Sequence, residues 1–343
     1  MNMDYFGFSL WTELMIGDKL WLNSLELEFE DEFVPDVDGW AQIFSKLHKV
    51  LILSGLNKKL GACLHTSMNI PLILKNTGME NNLKIVMKSF SEKNPFQFGM
   101  HSSFTENDLI LNKDYKKVLK KDLELCSILN AVAIVEHPPL PGKSKSLNRK
   151  YQIKEMIEEL TSNEIISLLE SNKIILCWEN MGNENEFFGD ISNLIEFKNL
   201  LDDKLSEIGK KELIKRHLFC LDTGHLLLWS DKNSNGLNYA NKVIEECIPE
   251  FAKNILVFHI HANDGNGDNH IVPFSTEFFD HPSRKNINKE KFLENSKRVM
   301  AWLEICEDYK KINGRHLHIE ALTLPFSLNQ FIEFGQKLNE ILK

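Results

Sequence analysis

Five apolar, strand-like runs in the last two-thirds of this chain each close on a residue type that binds cations. They are AIVEH at His137, IILCWE at Glu179, LFCLDTGH at Asp222 and His225, ILVFHIH at His259 and His261, and LHIE at Glu320. Imidazoles and carboxylates contributed by separate elements are the common ligands of divalent cations. One His or Glu at a strand end is ordinary surface chemistry, whereas a succession of them points to metal binding. The glutamates are the least easily explained otherwise. Glu179 closes the run IILCW and Glu320 follows LHI, and a buried carboxylate without a partner is costly. Asp222, after LFCL, falls under the same argument, and His225 stands three residues on, where the chain turns toward helix, so both reach one site. His259 and His261 alternate along a strand and point to the same side. One is a ligand and the other an orienting neighbour, and spacing does not separate them. Asp268 and His270, in the triplet DNH, lie in a Gly- and Asn-rich loop where turn formation is the plain alternative to metal binding.

These ends must be brought together by something. Their spacings of 42, 43, 37 and 61 residues are each about one strand plus one helix, with one longer insertion. Alternating strand and helix patterns of this kind imply βα units. In a (β/α)8 TIM barrel the parallel strands all deliver their C-terminal ends to one face, where the active site lies. The expected architecture is therefore one such barrel over residues 1–343. Strand-like runs end near Leu10, Glu30, Thr66, His101, His137, Glu179, Asp222, His259 and Glu320, nine candidates for eight strands. The surplus lies before residue 100, where the run 24–30 or 60–66 is a hairpin or capping strand. Helical periodicity marks Asp114–Leu129, Tyr151–Leu169, Leu237–Phe251, Lys289–Tyr309 and Ser327–Lys343. Two loops follow strands and so overhang the site: 138–150, whose Lys143, Lys145 and Arg149 suit an anion or phosphate, and the longer 262–286, a candidate lid.

The bulk composition narrows the class. Hydrophobic residues make up 43% and charged residues 26%, ordinary for a globular protein. The six cysteines are scattered without a CxxC pair, which suggests buried thiols in a reducing, cytoplasmic compartment. No apolar run is long enough to span a bilayer, and the opening MNMDYFGFSLW lacks the basic region of a signal peptide. A net charge of −9 disfavours a broad nucleic-acid footprint, which needs a basic surface, although bound cations would offset part of it.

Taken together, the strand-end motifs resemble the xylose isomerase-like TIM barrel superfamily, which includes AP endonuclease family 2, endonuclease IV, and sugar-phosphate isomerases and epimerases. LDTGH resembles its Asp-x-x-His element, WEN and LHIEA its two glutamate strands, and HIHANDGNGDNH its His-x-His element followed by Asp-x-His. For isomerase-type members the resemblance implies one metal on Glu179, Asp222, His259 and Glu320, with His225 touching substrate and the glutamates moving protons. For endonuclease IV-like members it implies three metals, with further ligands at His101, His137, His225, Asp268 and His270, all of which are present. His65 in ACLHTS competes with His101 for the first position. Ala262 stands where an Asp usually follows the His-x-His element, Phe104 where DNA-cleaving members carry Tyr, and Pro139 where they carry Gly. The last two departures point away from DNA. His318 reads as packing or as a neighbour of Glu320, and His48, His217, His281 and His316 receive no role.

The expected function is a divalent-metal-dependent enzyme holding one to three Zn, Mn, Fe or Co ions. The favoured activity is hydrolysis of a small phosphoester or phosphodiester. The alternatives are a sugar or sugar-phosphate isomerase or epimerase using Glu179 and Glu320 as acid and base, and a non-catalytic binding barrel. Catalytic weight falls on Glu179, Glu320 and His225 in either enzyme.

Overall fold

A computed structural model describes residues 4–11, 37–65, 78–93, 96–102, 115–138, 149–182, 188–232, 248–321 and 325–342. Eight strands form a closed, wholly parallel barrel in sequential order: β1 Tyr5–Trp11, β2 Lys59–His65, β3 Phe96–His101, β4 Ala133–Glu136, β5 Ile175–Glu179, β6 His217–Asp222, β7 Ile255–Ile260 and β8 His316–Ile319. This is the (β/α)8 architecture, with β8 pairing back onto β1 through Tyr5↔His316 to Phe8↔Ile319. The run 60–66 forms a barrel strand, and the competing run 24–30 lies outside the described residues.

The helices described are α1 Val37–Leu53, α2 Met79–Lys93, α3 Tyr115–Leu129, α4 Arg149–Leu160, α5 Asn163–Asn172, α6 Ile191–Glu207, α7 Thr223–Lys232, α8 Ile248–Ala252, α9 Lys289–Asp308 and α10 Leu328–Ile341. The continuous helix expected over Tyr151–Leu169 is broken into α4 and α5. Thr161 turns its hydroxyl back onto the Ile157 carbonyl at 2.7 Å, and Ser162 takes the extended conformation that starts α5. Hydroxyl side chains compete with helical continuation in this way. Of the helix expected over Leu237–Phe251, only its end is described, within α8.

Because strands in this fold are covered on both sides, they read as near-continuous apolar runs; β6 and β7 are buried at every position. Alternate residues face the helices. Phe44 of α1, for instance, meets Phe98 of β3 with ring centroids 5.9 Å apart. The other set fills the lumen. Ala133, Val135, Cys177, Leu218, Cys220 and Val257 form a separate apolar cluster on the β4–β7 side. Gly61 and Gly99 on β2 and β3 lie on the opposite side, beside the ring of His318, with His316 also near Gly99.

The barrel floor is fastened across the β1–β8 seam by buried Asp4. It accepts from the Arg315 amide at 3.1 Å and from Lys310 at 2.5 Å, and pairs with Arg315 at 3.3 Å and Lys58 at 3.6 Å. Arg315 also pairs with Glu307. Burial raises the Asp4 pKa, but the Lys310 hydrogen bond and the Arg315, Lys310 and Lys58 charges outweigh it and hold the carboxyl below its usual value.

Candidate metal centre

The alternation that packs the lumen also builds the site. On β2 to β8 the inward series climbs by two residues to the strand end or one position past it: Cys63 to His65, Gly99 to His101, Val135 to His137, Cys177 to Glu179, Cys220 to Asp222, His259 to His261, and His318 to Glu320. Parallel pairing keeps neighbouring strands in step, so the last members meet as one ring at the C-terminal mouth.

Glu179 stands at the hub. Its Oε2 lies 3.0 Å from His137 Nε2 and 3.3 Å from His101 Nε2. Its Oε1 lies 3.0 Å from His259 Nδ1 and 3.8 Å from His225 Nδ1. On the opposite side, His261 Nε2 lies 3.0 and 3.1 Å from the two oxygens of Asp222 and 3.8 Å from Glu320 Oε2. His270 Nε2 reaches the same Glu320 oxygen at 3.7 Å. Asp268 pairs with His225 at 3.2 Å and His270 at 3.5 Å. Two sets of donors thus close within 4.8 Å: His101, His137 and Glu179, and then Asp222, His261, His270 and Glu320. Glu179, Asp222 and His225 make a third that links them.

Both candidates for the first histidine are in the ring. His65 and His101 are register partners on β2 and β3, stacked with centroids 4.4 Å apart. His101 faces Glu179, while His65 Nε2 faces Glu320 Oε1 at 3.2 Å. His259 and His261 divide similarly, the first reaching Glu179 and the second Asp222.

The surrounding residues explain the motifs. In WEN, Asn180 exchanges two hydrogen bonds with the Asp222 backbone, at 2.9 and 2.8 Å, and its carbonyl accepts from His225 Nδ1 at 2.9 Å. That holds the His225 ring so that Nε2 faces Asp268 at 3.2 Å. In LDTGH, Asp222 accepts the His225 amide at 2.7 Å as α7 begins. Thr223 bonds both the carbonyl and the amide of His261, at 2.7 and 3.1 Å. Gly224 is required because His261 packs on it: a Cβ there would stand 1.9 Å from the ring. Asn180, Thr223 and Gly224 were not singled out by sequence reasoning, although each lies inside a motif that was.

The segment after β7 is a built scaffold. Ala262 and Ile271 form an antiparallel bridge, Asn263 is held by Asn295 at 3.0 Å, and Asp264 accepts the Asn288 amide at 2.8 Å. These bonds tie it to α9 and present Asp268 and His270 to the mouth. Lys143 and Lys145 lie outside the described residues, and Arg149 is the first residue of α4.

The ring drives its carboxylates apart. Burial pushes Glu179 up, yet the His259 charge and hydrogen bonds from His101, His137 and His259 prevail and hold it well below its usual value. Glu320 is pushed well above its usual value by burial and by the Asp222 and Glu179 charges. Burial opposes charge on His225, but Asp222 and Asp268 raise its pKa well above normal. Burial holds His270 down at about 4. Such splitting among neighbours is common at functional sites and in buried ion-pair networks.

A model of the family described as xylose isomerase-like TIM barrel matches residues 74–310. Among solved structures, a D-tagatose 3-epimerase-like protein superposes with a TM-score of 0.53 at 17% identity, over 100% of this chain and 97% of that one. The IOLI protein, solved with a zinc atom, does so with a TM-score of 0.51 at 13% identity, over 86% and 92%. Endonuclease IV from Thermus thermophilus gives a TM-score of 0.42 at 14% identity, over 88% and 99%. For the first two, at such identities, the likeness is one of fold. No curated protein sequence matches the chain.

Proposed function

The chain belongs to the xylose isomerase-like TIM barrel family, and from that premise we propose that it is a metal-dependent hydrolase of a small phosphoester or phosphodiester. The observation that carries this reading is the presence of two adjoining donor sets joined by a third, since a one-metal isomerase has no use for both. The residues fit divalent cations. The donors are imidazole nitrogens and carboxylate oxygens, the set suited to Zn, Mn, Fe or Co. Glu320 Oε2 and His261 Nδ1 are buried without a hydrogen-bond partner, and the carboxylates that favour a proton on His225 would equally favour a cation beside it. When bound, such cations would withdraw charge from a phosphoryl oxygen and ease deprotonation of water.

The chain's own residues supply the rest. Glu179 turns one oxygen to each flank of the site. Asp222 is locked by Asn180 and the His225 amide, so its carboxylate cannot swing. Asp268 and His270 arrive on a braced segment. Lys143, Lys145 and Arg149 are assigned to the phosphate, as their position after β4 suggests. The acidic balance of the chain favours a small substrate over nucleic acid. Among the described residues no helix is long and apolar enough to cross a membrane. The described cysteines are buried and unpaired, which supports a reducing, cytoplasmic setting.

A second reading, a sugar or sugar-phosphate isomerase or epimerase, is favoured by one specific observation. Glu179 and Glu320 flank His259 Nδ1 at 3.0 and 3.6 Å with opposite protonation preferences, which suits one as base and the other as acid. Metal content of the purified protein, with parallel assays on phosphodiesters and ketoses, separates the two. Two or three equivalents with phosphoester turnover supports hydrolysis. One equivalent with ketose turnover supports the isomerase. No metal uptake on titration with Zn or Mn refutes both.

A further inference from the structure

One layer below the mouth, the lumen holds Cys63 and His318, which neither reading uses, beside the Nε2 edge of His259, whose Nδ1 faces Glu179. Cys63 Sγ lies 3.9 Å from His259 Nε2, and Cys63, His259 and His318 offer three donor atoms within 4.8 Å of one another. All three residues are fully buried. Both ring nitrogens of His318 are without a hydrogen-bond partner, a costly state for a buried polar group. The ring lies beside two glycines at ordinary contact range. A Cβ at Gly99 would stand 3.4 Å from His318 Cε1, and one at Gly61 would stand 3.7 Å from its Nε2. Hydrophobic side chains fill the opposite half of the lumen, so a pure packing role would be served better by an aliphatic residue at position 318.

We propose that Cys63, His259 and His318 form an inner site for a thiophilic d10 cation, Zn2+ or Cu+, separate from the donors at the mouth. One thiolate with two imidazoles selects such ions over the hard cations that carboxylates prefer. With metal–sulfur bonds of about 2.3 Å and metal–nitrogen bonds of about 2.0–2.1 Å, ligand atoms of one tetrahedral ion stand about 3.3–3.6 Å apart. The 3.9 Å between Cys63 and His259 therefore needs only a small contraction. His259 is already oriented for the role: its Nδ1–H donates to Glu179 Oε1 at 3.0 Å, which leaves the Nε2 lone pair facing Cys63. A carboxylate behind a histidine in this way is the usual support of a metal-bound imidazole. Binding replaces the Cys63 S–H proton with the ion and releases that proton to solvent. The ion would tie β2, β7 and β8 together under the mouth and fix His259, and through it Glu179.

Co2+ titration of the purified, intact protein tests this, because a thiolate-to-Co2+ charge-transfer band reports sulfur coordination and the three donor sets assigned to the mouth contain no sulfur; a second cysteine, Cys220, lies with Glu179 and His259 and is told apart by its own variant. The expected result is one sulfur-bound equivalent in the wild type, absent from Cys63→Ser and from His318→Asn, with the equivalents at the mouth retained. No such band at saturating Co2+ in the wild type overturns the proposal without recourse to any variant. So does a band that survives in Cys63→Ser but disappears in Cys220→Ser, which would make Cys220 the donor. The inner site stands or falls apart from the proposed activity: a protein with mouth equivalents and turnover but no sulfur band loses only the inner site.

Discussion

Replacing Gly224 with alanine should cost the site His261 as a ligand while leaving the barrel folded. The added Cβ would lie 1.9 Å from His261 Cε1, 2.3 Å from Nδ1 and 2.5 Å from Nε2. Non-bonded carbons rest about 3.5–4.0 Å apart, so the ring must retreat by roughly 1.5 Å. The backbone cannot share that movement easily, because Thr223 clasps both the amide and the carbonyl of His261. Metal–ligand distances tolerate only about 0.2 Å, so a ring displaced this far no longer serves the cation bound by Asp222 and Glu320. The expected loss is at least the roughly 10–100-fold in metal affinity that removing a ligand's supporting neighbour produces. Overpacking should cost about 1–3 kcal/mol of stability, seen as a drop of a few degrees in Tm. Calorimetric Zn titration with a thermal melt reads both quantities. Gly267→Ala is the control, since its new Cβ meets nothing nearer than Asn269 Nδ2 at 3.6 Å. A folded Gly224→Ala protein with unchanged metal affinity and stoichiometry would refute the assignment of His261 and transfer its role to His259.

Glu179→Gln keeps shape but removes the charge on which four histidines converge; turnover should fall by about 10²–10⁴-fold, and full activity in a steady-state assay would remove Glu179 from the mechanism. His270→Ala should abolish phosphoester turnover but reduce ketose turnover only modestly, so equal losses on the two substrates would count against the hydrolytic reading. Asp4 has a folded pKa below its unfolded value of about 3.9. Its contribution is therefore fully present above the unfolded value and lost as pH falls through the folded one. Asp4→Asn should lower Tm at pH 7 and make the difference from wild type shrink below about pH 4; a constant difference down to pH 2 would show that the floor network carries no charge dependence. Removing metal with a chelator should lower Tm, by the equivalent of about 2.7 kcal/mol if the ion had been present at 100 times its Kd. Unchanged melts with confirmed metal loss would mean that the ring holds its shape unaided.

The sequence by itself determined the repeat and the chemistry of its ends. Two-sided burial makes each parallel strand an apolar run, so a charged or imidazole residue closing such a run is conspicuous, and spacings of one βα unit imply a common face. That is why Glu179, Asp222, His225 and Glu320 stand out in the chain as candidate ligands before any contact is known. What the tertiary structure decided was how these residues are shared. His259 and His261 have the same type and the same inward phase, and only the level of each within the barrel sends one to Glu179 and the other to Asp222. His65 and His101 looked like rivals because sequence places them on different strands; parallel register stacks them, so each takes a different glutamate. The run 60–66 could not be ranked against 24–30 by pattern, since strand character is local while a place in the barrel depends on pairing with β1 and β3. The break between α4 and α5 turns on two hydroxyl side chains whose competition with the helix depends on packing around it. The role of Gly224 was invisible because a glycine's importance lies in the ring that crosses it, and that ring comes from just past the end of β7, 37 residues away in the chain.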